Sequence, residues 1–178
     1  MDLEHILGWG EQLTTRLPGT GFFVGAASAS DAQVLRDHQL GHAQEVEGLH
    51  LDAVRVLEGV LAVFENPHLG FYVVARKDSG HTGSGAGAPV VASLLVTKEW
   101  SDWRARHVWW IQSVYVEPPF RRRGVFSMMF REVERMAYEQ NAAGLRLYVE
   151  RNNIGAQRIY QRLGMTTDHY VMFEKMLH

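Results

Sequence analysis

A basic loop between a predicted strand and a predicted helix is the segment of this sequence best suited to bind phosphate. Arg121, Arg122 and Arg123 lead through Gly124 into a helix. The first backbone N–H groups of a helix lack intrahelical acceptors and lie at the positive end of the helix dipole. With arginine side chains beside them they bind phosphate, and glycine lets a pyrophosphate approach the backbone closely. An ordinary solvated arginine run is the alternative interpretation.

A second group of residues, about thirty positions further on, places a tyrosine where it could donate a proton. Asn153, Ala156 and Tyr160 are spaced at i, i+3 and i+7, so they share one face of a short predicted helix. Such a tyrosine can hold its hydroxyl at the mouth of a cleft. A helical tyrosine is also a common packing residue, so the spacing alone leaves both interpretations open.

The remaining pattern predicts one α/β domain, residues 1–178, that positions these two segments. Ser30 with Gln33 predicts a capping box at the start of the first helix. Helices are predicted at residues 30–45, 50–64, 124–141 and 153–163, and strands at 22–27, 70–76, 90–98, 107–116 and 145–149, with one or two more in 166–176. This order indicates an antiparallel first half and crossover connections in the second.

Composition excludes several classes of function. The chain has 178 residues, a formal net charge of −2 and no cysteine, which excludes disulfides, thiolate metal sites and a cysteine nucleophile. The arginine triplet is the only dense basic cluster, so no nucleic-acid partner is expected. With no visible signal peptide and no apolar run near the ~20 residues of a membrane helix, we expect a cytoplasmic protein with no membrane partner.

Three weaker patterns do not support other activities. Residues 80–88 are rich in glycine but lack the Lys-Ser/Thr of a phosphate-binding P-loop, so we expect a flexible loop. His38 and His42 have the spacing of a zinc pair, but no third ligand is suggested and no metal is expected. The Gly-x-Ser-x-Gly motif of serine hydrolases does not occur.

Taken together, the two segments resemble the GNAT superfamily of N-acetyltransferases. Its phosphate-binding signature, Gln/Arg-x-x-Gly-x-Gly/Ala, is similar to Arg121-x-x-Gly124, although Phe126 stands at the last position. Its later signature, Asn-x-x-Ala-x-x-x-Tyr, is matched by Asn153, Ala156 and Tyr160. The aromatic runs 99–103 and 109–116 look like a small, mostly uncharacterised bacterial-type branch. The implied fold is a central mixed, mostly antiparallel sheet of six to seven strands flanked by about four helices.

The resemblance implies acetyl-CoA as co-substrate, bound in the half of the chain at about residues 107–165. Its pantetheine arm would lie against a splayed strand and its pyrophosphate on main-chain amides of the loop, with Phe126 turning its side chain into the core. Tyr160 would act as general acid toward the thiolate. The implied cofactor-binding residues are Val114, Tyr115, Val116, Arg121, Arg122, Arg123, Gly124, Val125, Phe126, Ser127, Asn153 and Tyr160.

The general base and the acceptor remain open. Glu150 is a candidate base on the same strand face as Tyr148, and Glu117 and His107 are alternatives. Gln112, expected on the same face as Trp110 and Val114, could only position a water molecule. The implied acceptor residues are Glu45, Glu47, Trp100, Trp103, Gln112 and Tyr148, with His50 and His169 in the same region.

Two functions fit this pattern. The first is an acetyltransferase acting on a primary amine of a small molecule or a protein. The second is a non-catalytic acyl-CoA-binding module that kept the fold. A homodimer is compatible with either, because edge strands of such folds often pair between subunits.

Overall fold

A six-stranded sheet forms the centre of the molecule in the computed structural model, which describes residues 15–16, 20–78 and 87–177. The strands follow chain order across the sheet and are β1 (Thr15–Arg16), β2 (Phe22–Ala26), β3 (Phe71–Lys77), β4 (Val90–Ser101), β5 (Arg106–Val116) and β6 (Gly144–Arg146). Neighbouring strands are antiparallel except β5 and β6, which are parallel. This confirms the predicted α/β fold with its mixed, mostly antiparallel sheet.

Four α-helices accompany the sheet in the described part of the chain, as predicted. They are α1 (Ala32–Glu47), α2 (Ala53–Glu65), α3 (Val125–Glu139) and α4 (Ile154–Arg162). Helices α1 and α2 share a core with one face, built around Leu35, Val60 and Val74. Helix α3 shares a larger core with the other face.

Strand β4 lies inside the sheet, and its sequence shows that both faces are covered. Residues 90–94 and Val96 are all buried. A strand with one solvated face would alternate apolar and polar residues, whereas residues 90–96 are almost continuously apolar. The buried Ser93 is its polar exception, and a histidine of α1 lies against it.

Helix α3 begins where the arginine loop ends, and its apolar stripe holds it on the sheet. Val125, Met129, Val133 and Met136 are buried at helical spacing. The crossover β5–α3–β6 makes β6 parallel to β5, as a helical connection between adjacent strands allows.

The start of the first helix differs from its prediction. The backbone N–H of Ser28 donates to Asp31 Oδ2 at 2.8 Å, so the reciprocal capping pair is Ser28 with Asp31 and not Ser30 with Gln33. The physical reason is that the chain enters α1 through a 3-10 turn, Ala29–Asp31, which moves the cap two residues toward the N-terminus.

The C-terminal region also differs. Strand β6 has three residues instead of the five predicted, and residues 166–177 form no strand. The apolar run at 170–173 suggested a strand, but β6 offers it an edge of only three residues, and the run lies exposed. The predicted glycine-rich loop lies largely outside the described residues. Of the helices in the described ranges, none is both long and apolar enough to cross a membrane.

Candidate functional site

Strands β5 and β6 part after a short paired stretch, and this opens a gap at the centre of the site. Their register pairs Val108 with Gly144, Trp109 with Leu145 and Trp110 with Arg146. Beyond Trp110 no described strand pairs with β5 on this side. The gap therefore exposes backbone groups of β5 that an intact ladder would have used. Val114, Tyr115 and Val116 lie in this unpaired part, as the resemblance implied.

A β-bulge in β5 changes which of its side chains share a face of the sheet. The register with β4 shifts by one residue between Ser93 and Leu95, and Ser113 has φ +50°, a left-handed conformation uncommon outside glycine. Because of the extra residue, Val114 packs with the core under α3. The expectation that Gln112 and Val114 share a face is therefore wrong: Gln112 bonds Thr97 of β4.

The arginine loop makes a sharp turn into α3. After the short 3-10 turn Pro118–Phe120, Arg122 has φ +62° and Gly124 has φ +76°. Gly124 is the N-cap of α3 and has no side chain with which to satisfy the first amides of the helix. The N–H groups of Val125, Phe126 and Ser127 are thus placed for an anion, beside three exposed arginines.

The three arginines do different things. Arg121 ties the loop to α1: its Nη2 lies 2.6 Å from Glu45 Oε2 and its Nε donates to the Val116 carbonyl at 2.8 Å. Arg123 lies over the Phe120 ring at 5.8 Å. Arg122 has neither an ion pair nor a ring contact with any residue the structure describes. A ring contact does not neutralise a guanidinium, so the charges of Arg122 and Arg123 are both available to a bound phosphate, and Arg122 is the one without either kind of contact.

Tyr115 completes the contact between α1 and the strand end. Its hydroxyl donates to Glu45 Oε1 at 3.2 Å. A Cβ added at Gly41 would stand 2.9 Å from that hydroxyl, so the helix approaches the ring as closely as glycine allows. Burial, and then the Glu45 charge, raise the pKa of Tyr115. Both oxygens of Glu45 are engaged, so this acceptor candidate has no unpaired charge here.

Phe126 and Tyr160 face each other beside the loop. Phe126 packs on the α3 core, and its ring centroid lies 5.4 Å from that of Tyr160 in an edge-on arrangement. Burial raises the pKa of Tyr160, which keeps its proton in place at neutral pH. Helix α4, which carries Tyr160, is started by Asn153, whose side-chain oxygen accepts the Ala156 N–H at 3.1 Å. The side-chain oxygen of Asn153 thus caps its own helix.

Glu150, the candidate base, forms hydrogen bonds within the turn before α4. Its carboxylate accepts from the Asn152 backbone at 2.8 Å and from the Asn152 side chain at 3.0 Å. The role of Glu150 as a base stays a prediction.

The acceptor candidates are spread over several places. Trp103 is 86% exposed, and Trp100 stacks edge-on against His107 at 5.2 Å between ring centroids. Tyr148 lies 6.4 Å from the Trp110 ring. Glu47 ends α1, and its side chain lies outside the described part. No three His, Cys, Asp or Glu side chains among the described residues are arranged to hold a metal.

Sequence reasoning missed one cluster at the point where β5 and β6 part. Glu99 of β4, Trp110 of β5 and Arg146 of β6 meet there: Glu99 accepts from the Trp110 indole and from Arg146 Nη1, the latter at 2.9 Å. These residues are 11 to 47 positions apart. Only the strand register brings them together, so no local pattern could have found them.

Comparison with known proteins agrees with this geometry. Residues 35–165 match the model of the acetyltransferase (GNAT) family. A possible acetyltransferase from Clostridium difficile 630 is 33% identical, with a TM-score of 0.77 over 88% of this chain and 98% of that one. The enzyme AAC(6')-Iy, solved with the bisubstrate analogue CoA-S-monomethyl-acetylneamine, is 16% identical and shares the fold, with a TM-score of 0.66 over 88% of this chain and 99% of that one.

A cattle protein, thialysine N-epsilon-acetyltransferase, is 30% identical over 82 residues, which are 46% of this chain. The alignment spans about half the length of that relative, 48%. The family match covers both the arginine loop and the Tyr160 helix, so the resemblance seen in the two motifs is confirmed. The chain belongs to the acetyltransferase (GNAT) family.

Proposed function

We propose that this chain transfers an acetyl group from acetyl-CoA to a primary amine of a small molecule or a protein, as a single N-acetyltransferase domain spanning residues 1–178. The family supports acetyl transfer in general, and the cattle relative is named for an amine acceptor. One observation carries the proposal: the gap between β5 and β6 opens beside the uncapped start of α3 and its arginines. The gap fits the thioester end of acetyl-CoA, and the anion site fits its pyrophosphate.

The binding half of the site would use mainly backbone groups. Amides of Val125, Phe126 and Ser127 would hold the pyrophosphate, with Arg122 adding charge. The unpaired edge of β5 at Val114 and Val116 would hold the pantetheine arm. Phe126 is compatible with this arrangement because its side chain packs into the core and leaves the helix start open.

Bound acetyl-CoA would supply an activated acetyl group whose C–S bond breaks as the amine nitrogen forms the new C–N bond. Residues of the chain must then supply one proton to the sulfur and remove one proton from the amine. Tyr160, which is protonated at neutral pH and whose pKa burial raises further, donates its hydroxyl proton to the departing sulfur. The amine proton leaves to a base, for which Glu150 is the proposed group, directly or through a water molecule.

The test is release of free thiol from acetyl-CoA across a panel of amines, with coenzyme A binding measured in parallel by calorimetry. We expect binding and amine-dependent thiol release. Binding without release for any amine would identify the acyl-CoA-binding module instead. Absence of binding to coenzyme A or acetyl-CoA would overturn the assignment of the site.

A further inference from the structure

Arg146 lies within cation–π distance of two aromatic rings at the point where β5 and β6 part. Its guanidinium carbon lies 5.7 Å from the centre of the Trp110 ring and 5.5 Å from that of Tyr170. Contacts with two rings limit the positions open to a guanidinium, while the N–H groups at its edge stay available to an anion. Arg146 is thereby preorganised to bind an anion.

Glu99 orients Arg146, and both of its carboxylate oxygens are already bonded. One oxygen of its carboxylate accepts the Trp110 indole N–H, and the other accepts Arg146 Nη1 at 2.9 Å. A cationic acceptor would therefore have to displace Arg146 from both rings and from the carboxylate. The cluster is better suited to bind an anion through the N–H groups of Arg146 that Glu99 does not use.

Those donors are numerous and open to solvent. A guanidinium has five N–H groups, and in the part of the chain that the structure describes only Nη1 is bonded, to Glu99. The side chain is 32% exposed. Two parallel N–H groups of arginine fit the two oxygens of a carboxylate, which a single lysine ammonium does not match.

Arg146 lines a cavity of about 760 Å³ that contains charges of both signs. Glu134 of α3 and Asp168 of the C-terminal segment also line it, and Trp110 and Tyr148 lie on the side where the strands part. Arg146 belongs to the last register pair before the gap. A carboxylate anchored there would leave the rest of a short acceptor beside the proposed acetyl group.

We infer that the acceptor is an amine that also bears a carboxylate, and that Arg146 binds this carboxylate. Glu99 is the positioning residue, and Trp110 and Tyr170 contact the guanidinium. Glu134 and Asp168 line the same cavity and would attract the cationic end of such a zwitterion before it loses its proton. This inference rests on the proposed acetyl transfer and adds a class of acceptor to it.

The experiment compares amines that differ only in the carboxylate. Lysine is tested against cadaverine, ornithine against putrescine and 4-aminobutyrate against butylamine. For the wild type we expect kcat/KM to be at least about tenfold higher for the carboxylate-bearing member of a pair, as a charge-assisted bidentate contact provides. Arg146→Met keeps an unbranched stem of similar length but removes the guanidinium, and it should abolish this ratio through the acceptor KM, with the acetyl-CoA KM unchanged.

Three controls separate a specific role from a general defect. Arg131→Met removes an exposed arginine of α3 and should keep the wild-type ratio. Arg146→Lys should recover only part of the ratio, because lysine cannot make the bidentate contact. Glu99→Gln should lower the ratio while keeping some preference, because the donors of Arg146 remain.

Binding is also followed without turnover, through the indole N–H resonance of Trp110, identified with Trp110→Phe. We expect lysine to shift this resonance at concentrations where cadaverine does not. Equal rates for the members of each pair, an unchanged ratio in Arg146→Met, or an equal or absent shift with both ligands would overturn the inference. Amine acetylation that ignores the carboxylate would leave the proposed function intact, whereas loss of thiol release with every amine would contradict the proposed function itself.

Discussion

At the scale of single residues, Tyr160 combines packing with a protonated hydroxyl. Partial burial disfavours the charged phenolate and raises the pKa of Tyr160 further above neutral. A tyrosine that stays protonated at neutral pH is suited to donate a proton, and poorly suited to accept one from an amine. The same side chain also packs edge-on against Phe126, so packing and proton donation occur in one residue.

Tyr160→Phe tests the donor role with little change in packing. We expect kcat to fall on the order of 100-fold, since a positioned acid contributes in that range, with the acetyl-CoA KM almost unchanged. The matched control is Tyr72→Phe, a tyrosine whose pKa is also raised by burial but which packs on the α1 and α2 side of the sheet. Steady-state kinetics of both variants decide the matter, and equal turnover in the two would remove Tyr160 from the acid role.

At the scale of elements, the site depends on how α3 starts. Gly124 is its N-cap with φ +76°, and no atom lies within 4 Å of the Cβ that another residue would add. A substitution there meets no steric obstacle, so its cost comes from the backbone conformation alone. The left-handed conformation costs an L-residue with a side chain roughly 1–2 kcal/mol.

Gly124→Ala should therefore lower the unfolding free energy by about 1 kcal/mol and weaken coenzyme A binding, because the turn that presents the first amides of α3 relaxes. Gly59→Ala is the control: its added Cβ also meets open space, but Gly59 lies inside α2, where alanine is preferred by about 1 kcal/mol. Urea denaturation should show opposite signs for the two variants. A stabilised Gly124→Ala protein would contradict the strained-turn interpretation.

Local patterns were sufficient to predict the elements that carry the two motifs. Helix α3 shows its apolar stripe in the sequence, and the shared face of Asn153, Ala156 and Tyr160 fits the short helix predicted at α4. The bulge at Ser113 was not predictable in this way, because one extra residue in a strand leaves no trace in a run of apolar and polar residues. Its effect is large, since it moves Val114 to the opposite face from the one expected.

Pairings between distant strands were also beyond local reasoning. The contact of Glu99 with Arg146 depends on two registers, β4 with β5 and β5 with β6. The side-chain period of a strand is two, so a slip of one residue in either register would separate these side chains. The sequence therefore predicted the proposed phosphate site, formed by one continuous segment, but not the proposed carboxylate site, formed by three strands.

At the scale of the whole molecule, α1 is joined to the sheet through a buried polar contact as well as through apolar packing. His38 is 3% exposed, with Nδ1 2.9 Å from Ser93 Oγ and Nε2 3.6 Å from Glu117 Oε1. Burial lowers the pKa of His38, while the charges of Glu117 and Asp37 act in the opposite direction. In the folded chain, His38 is therefore favoured in its neutral form between α1 and the sheet.

Acidification should destabilise the fold through this histidine. An unfolded histidine has a pKa of about 6.5, and the folded pKa is lower, so the unfolded state binds more protons as the pH falls below that value. The contribution of His38 to the free energy of unfolding is fully present above about pH 6.5 and is lost as the pH falls toward the folded pKa. Urea denaturation between pH 5 and pH 8 measures this dependence.

His38→Asn isolates the effect, because asparagine can still bond Ser93 but does not titrate. The variant should be less stable overall, since a buried ring is lost, yet its stability should depend less on pH than that of the wild type. His68→Asn, at an exposed position, should keep the wild-type slope. The change of unfolding free energy with pH therefore tests the role of His38 independently of the absolute stability. If the His38→Asn protein kept the wild-type pH dependence, other groups would be its cause.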